Sequence, residues 1–188
     1  VFFYYEKAKE HYLTIADFVN DALNKFKKAE QSARLGLTGF RWNRDYEHNE
    51  ALYSKDVIAP LLRKMGFVKI FYTHGNREYG KDFVFSDVDK FGNFIHYGIQ
   101  VKAGDINGKV NGQIDELIGQ IDDAFKMPFR DENRELQYIN YFYIVISGKF
   151  TENAMEKLQC KIPRAYGGYI KVLDKELILQ LLGTYWNG

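Results

Sequence analysis

The sequence predicts an α/β fold, a mixed central sheet flanked by helices and preceded by a helical segment. Three observations carry this. Apolar residues recur at helical spacing in three separate stretches, the mark of helices that bury one face. Between those stretches lie short runs rich in aromatic and β-branched residues, which suit strands. One such run, Tyr138 to Ile146, is apolar almost without a break, as expected of a strand covered by helices on both sides.

Each element follows in chain order. From about Glu6 to Ala33, residues Tyr12, Ile15, Phe18, Val19, Ala22, Leu23 and Phe26 form a helical stripe. This is one or two amphipathic helices, packed on the following domain or serving a larger assembly. Leu35-Gly36-Leu37-Thr38-Gly39 breaks the pattern and divides the chain into a helical segment, 1–38, and a domain, 39–188. Asp45 to Lys64 carries Leu52, Val57, Ile58, Leu61, Leu62 and Met65 on one stripe, closed by Gly66 as a C-cap. Pro60 inside it calls for a bend or a late start. Phe67 to Tyr72 is the first strand, and the polar loop 73–80 follows. Two further strands, opening at Phe83 and closing at Lys102, are joined by the turn Asp87-Val88-Asp89-Lys90-Phe91-Gly92-Asn93. Val110 to Phe125 places Ile114, Leu117, Ile118 and Ile121 on one helical face. After the apolar strand come a short helix, Glu152 to Leu158, a strand, Tyr169 to Leu173, and a last helix, Lys175 to Leu182.

At 188 residues, 46% hydrophobic and 27% charged, the chain suits one globular domain with a sizeable core. No apolar run approaches the roughly 20 residues that span a bilayer, and no signal-peptide pattern opens the chain. Cys160 stands alone, which excludes an internal disulfide framework and a cysteine-rich zinc site. A reducing, cytoplasmic setting is the simplest expectation. The chain opens on Val1, so its native N-terminus is expected upstream or processed. A formal net charge of +1 gives no global basic signal. Nucleic-acid binding must therefore rest on local groups: Lys25, Lys27 and Lys28; Arg63, Lys64 and Lys69; Lys102 and Lys109. Each of these fits a solvated helix face or strand end as well.

The chemistry concentrates at one sheet edge. Gly80-Lys81-Asp82 opens one strand of the hairpin and Gln100-Val101-Lys102 closes the other, which brings Asp82, Gln100 and Lys102 together. Alternation puts Ile95, Tyr97, Ile99 and Val101 on one face and His96, Gly98, Gln100 and Lys102 on the other. Gly98 leaves space beside them, and Gly80 can open the loop for a ligand. An acid, a second oxygen ligand and a lysine suit metal-assisted attack on a phosphodiester. The plain alternative is a solvated Lys and Gln at a strand end, with Asp82 in a turn. Gln-x-Lys by itself carries no signal; its placement on the strands gives it weight.

Taken with the element order, Gly66-Phe67, Gly80-Lys81-Asp82, Gln100-Val101-Lys102 and the helix bearing Gln113 and Gln120 resemble the PD-(D/E)xK, or restriction endonuclease-like, nuclease superfamily. The likeness spans about Glu50 to Leu182 and looks closest to the Mrr-like branch, in which Gln replaces the second acid. It implies a three-layer restriction endonuclease-like sandwich. It implies Asp82 as the central metal ligand, Gln100 as a second ligand or orienting group, the Val101 carbonyl as a further ligand, and Lys102 as the catalytic lysine. Mg²⁺ is the implied cofactor, with Mn²⁺ able to substitute. Two departures stand out: Lys81 occupies the place of the usual proline, and Gln100 removes one negative charge. The family's helix acid falls among Glu47, Glu50 and Asp56, of which Asp56 best matches the distance to Gly66. Glu78 is a further ligand if its loop folds inward. Gln113 and Gln120 share a helical face that in the family looks toward the active site. His74, Arg77, Lys109 and Asn111 are candidate phosphate contacts. For each of these acids, amides and loop residues, a simple solvated or locally bonded role is the competing explanation.

The expected function is a metal-dependent DNA endonuclease in restriction or antiphage defence, cutting by direct attack of water; RNA stays open as a target. The alternative is a catalytically weak or inactive nucleic-acid-binding or assembly module on the same fold, motivated by the missing carboxylate. A third is an interaction domain whose N-terminal helix drives homo-oligomerisation or docks a larger multidomain assembly.

Overall fold

A computed structural model describes residues 14–73, 79–109 and 111–186. The first helix, α1 (Ile15–Leu37), starts where the Thr14 side chain accepts the Asp17 N–H, and stops before Gly39 at φ +68°. It buries none of its residues fully. Its last turns rest on the C-terminal helix, with Arg34 and Leu35 against Gly183, while Ile15, Val19, Leu23, Phe26 and Leu37 stay exposed.

A 3₁₀ turn (Arg44–Glu47) leads into a continuous helical run of α2 (Glu50–Tyr53), a π turn (Ser54–Ile58) and α3 (Ala59–Lys64). Pro60 falls in the first turn of α3, and the turn before it is the π turn. Proline offers no N–H and crowds the carbonyl four residues earlier, so the backbone widens, and the Ala59 N–H reaches back to the Ser54 carbonyl. The run ends at Gly66, φ +87°, where the Phe67 N–H returns to the Leu62 carbonyl; this is the C-cap the sequence predicts.

The sheet contains β1 (Val68–Tyr72), β2 (Phe83–Val88), β3 (Phe94–Lys102), β6 (Tyr141–Ile146) and β7 (Ile170–Leu173), side by side in that order. The first three are antiparallel and the last two join in parallel, so the sheet is mixed. Between β3 and β6 lie α4 (Asn111–Lys126) and a small hairpin of β4 (Phe129–Arg130) and β5 (Leu136–Gln137), which the sequence does not announce. Helices α5 (Glu152–Lys161) and α6 (Lys175–Tyr185) flank β7 in the chain.

Alternation sends the strand side chains into two cores. Phe83, Phe85, Ile99, Val101 and Val145 meet Tyr53, Val57, Ile58, Leu61, Leu62, Ile178 and Leu182 on one side. On the other, Val84, Phe142, Ile144 and Ile146 meet Ile114, Leu117, Ile121, Ala124, Ala154 and Leu158. Helix, sheet and helix thus form three layers, the architecture expected for a restriction endonuclease-like domain.

Candidate active site

Asp82 immediately precedes β2, at the end of the strand where β3 finishes. Main-chain direction explains the contact it makes. Odd-numbered residues of β3 turn their peptide groups toward β2: the Ile99 carbonyl accepts the Asp82 N–H at 2.7 Å. Even-numbered ones turn toward β6, as the Lys102 carbonyl does to the Ser147 N–H at 3.1 Å. Since β2 has no partner residue opposite Val101, the Asp82 carboxylate takes that place, with Oδ2 accepting the Val101 N–H at 2.6 Å. The N–H and C=O of one residue leave a strand on the same side. The Val101 carbonyl therefore faces the Asp82 edge. Gln100 Nε2 donates to the same Oδ2 at 2.9 Å, and Gln100 is buried. A carboxylate only accepts, so this contact orients the Gln100 amide with its nitrogen toward Asp82.

Lys102 projects from the same face as Gln100 and pairs with Glu116 of α4, Nζ to Oε1 at 2.8 Å. Gln120 Nε2, one turn further on, donates to that Oε1 at 3.1 Å, while Gln120 Oε1 is buried without a partner. Glu50, the first residue of α2, accepts the Ala103 N–H at 3.3 Å and so reaches the end of β3 from the opposite layer. Asp56 is exposed, and its charge acts on Tyr46, whose hydroxyl is pushed up mainly by burial and then by that carboxylate. Glu47 is taken by Lys175 at 2.6 Å and by the Trp42 indole at 3.1 Å, which hold its carboxyl below the usual range. Of the helix acids, Glu50 is the one bonded at the end of β3.

The turn before Asp82 is locked to α4. Gly80 has φ +73°, and a Cβ there would overlap the Gln120 carbonyl. Lys81, which stands where the resemblance expects proline, is buried. Its Nζ donates to the carbonyls of Tyr79, Ala124 and Met127 at 3.2, 3.1 and 3.0 Å, closing the C-terminal end of α4. Desolvation pulls this ammonium down to about 8, against an opposing pull from Asp123.

Of the other candidates, Gln113 and Lys109 are exposed, and the Lys109 N–H bonds Asn107 Oδ1 at 2.9 Å. His74, Arg77 and Glu78 lie outside the described residues. Sequence reasoning missed Glu116. Its only signal is its position one turn before Gln120, on the face already suspected.

Among the described residues no three Asp, Glu, His or Cys side chains converge as a metal cluster. The donors at the edge are a carboxylate, an amide and a main-chain carbonyl, all oxygen ligands of the kind hard divalent ions take. Mg²⁺ commonly keeps several waters and uses one or two carboxylates plus substrate phosphate, so this donor set fits it. No helix of the described residues is long and apolar enough to cross a membrane.

Comparison with known proteins bears on this arrangement. A search of curated proteins finds no match. Among solved structures, restriction endonuclease FokI bound to DNA is similar with a TM-score of 0.48 and 14% identity, over 85% of this chain and 28% of that one. MspJI restriction endonuclease in complex with a 27-mer oligonucleotide gives a TM-score of 0.38 and 16% identity, over 81% and 31%. The chain spans less than a third of either protein. A family described as restriction endonuclease, Mrr_cat, matches residues 53–182, a stretch that holds Asp82, Gln100, Lys102 and Glu116. The chain belongs to that restriction endonuclease family.

Proposed function

We propose that the chain is a metal-dependent endonuclease that hydrolyses DNA phosphodiester bonds, in the setting of restriction or antiphage defence in the cytoplasm. The observation that carries it is Asp82 Oδ2 gathering Gln100 and the Val101 N–H at the edge from which Lys102 also projects, within a chain of the restriction endonuclease family.

Asp82 and the Val101 carbonyl would hold Mg²⁺, with Gln100 Oε1 joining them once its amide turns over from the bond to Asp82, and with Mn²⁺ able to replace the ion. Such an ion, when bound, polarises a phosphate oxygen and acidifies a bound water. The chain's own groups do the rest. The bonds from Gln100 and Val101 fix the Asp82 carboxylate before substrate arrives. The Lys102 ammonium offers three donors and no acceptor, so it stabilises charge developing on the phosphate or orients the attacking water. Direct hydrolysis by water is the proposed course.

The test is cleavage of a panel of modified and unmodified duplex DNA, single-stranded DNA and RNA, with Mg²⁺ and with Mn²⁺. Asp82→Ala and Lys102→Ala are expected to lose at least about 100-fold in rate, as removal of a charge-stabilising group does. An intact panel with both metals, or Asp82→Ala cutting like the parent, would sink the proposal. One observation favours a second reading, a nucleic-acid-binding module without turnover: among the described residues, Asp82 is the single carboxylate of the donor set. DNA binding retained with no Mn²⁺ affinity at millimolar concentration would select it.

A further inference from the structure

Resting on the nuclease reading above, we infer that Glu116 is a positioning residue for Lys102, standing in charge where Gln100 has replaced an acid. A lysine on a strand end has a flexible four-carbon stem and must lose rotamer freedom before its ammonium sits at one point. Here that point is set by Glu116 Oε1, 2.8 Å from Nζ. The carboxylate is itself held, because Gln120 Nε2 donates to the same oxygen.

Both residues sit on α4, and α4 is fixed to the Asp82 turn at two places. Gly80 lies against the Gln120 carbonyl, and Lys81 closes the helix end through Ala124 and Met127. One helix therefore holds the residue before the acid and, one and two turns away, the partner of the lysine. With Gln100 neutral, Asp82 and Lys102 cancel; Glu116 returns the three charged groups to a net −1 (−1 + 1 − 1).

The Glu116 side chain is 59% exposed and that of Lys102 18%. An ion pair with one partner so open to water contributes little to stability. Its consequence lies in where the ammonium is held, not in keeping the fold.

The experiment compares Glu116→Ala and Glu116→Asp with the parent. Because the site is exposed, both variants are expected to melt within about 2 °C of the parent. The first readout is the rate at which a small activated ester acetylates Lys102, followed by peptide mass spectrometry. It should rise severalfold in Glu116→Ala and less in Glu116→Asp. The second is cleavage: kcat should fall at least about tenfold in Glu116→Ala with KM for DNA little changed, and Glu116→Asp should recover part of it. In a Lys102→Ala background, Glu116→Ala should add nothing. Unchanged Lys102 reactivity overturns the inference, and so does unchanged kcat. A parent protein that cleaves nothing would defeat the nuclease reading, and the acetylation rates would still decide whether Glu116 holds Lys102.

Discussion

Lys81 shows most plainly how one side chain shapes the site. Lysine is rarely buried, because desolvating an ammonium is costly, and the fall to about 8 reflects that cost. The return is three carbonyl acceptors, two of them, Ala124 and Met127, at the C-terminal end of a 16-residue helix and the third, Tyr79, in the turn before β2. Lys81→Met keeps the length and removes the donor, leaving those carbonyls unpaired, while relieving the burial of charge. A net loss of about 2 kcal/mol is expected. Urea unfolding at neutral pH checks it; an unchanged or raised midpoint would show that the bonds contribute nothing. The sequence displays Asp82, Gln100 and Lys102 because strand alternation alone aligns them. It hides the burial of Lys81, since nothing local distinguishes a buried lysine from a solvated one. Glu116 is hidden for another reason: its contact with Lys102 depends on where α4 lies over the sheet.

At the scale of the element, the helix before β1 shows how far a count along the chain depends on a regular helix. Asp56 matches the expected distance from Gly66 only if the helix is regular. The π turn at Ser54–Ile58 adds a residue to one turn and rotates what precedes it, and it is Glu50 that bonds at the end of β3. Pro60 marks a disturbance in the sequence but does not say whether the backbone bends, breaks or widens. Helix α1 gives the opposite case, where the periodic pattern is plain and its partner is not. Its amphipathic stripe predicts packing, yet the residues that touch α6 are near its end, and Ile15, Val19, Leu23 and Phe26 face outward. We propose the division at residues 38 and 39 on this basis. A chain beginning at Gly39 should keep the sheet and lose about 1–2 kcal/mol, the worth of the Leu35 contact. Circular dichroism with urea unfolding tests this, and an unfolded product would refute the division.

For the whole molecule, the order of layers was legible because each strand and helix carries its own period, and the near-continuous apolar run of β6 announced a sheet covered on both faces. The short β4–β5 hairpin was not legible, since two-residue strands leave no period to detect. The junction at β3 has a kinetic consequence. Its antiparallel partner β2 lies close in the chain, with Val88 opposite Phe94 and Phe83 opposite Ile99. Its parallel partner must be recruited from much further on, with Tyr97 opposite Tyr141. Closing the shorter loop loses less chain entropy, so the hairpin is expected to form first. Pulse-labelled hydrogen exchange should then protect the amides of β2 and β3 before those of β6 and β7; simultaneous protection would contradict it. Asp82, Gln100 and Val101 all belong to the early half. The acid would be in place while half the sheet was still unfolded, and the arrival of α4 would be the step that brings Glu116 to Lys102.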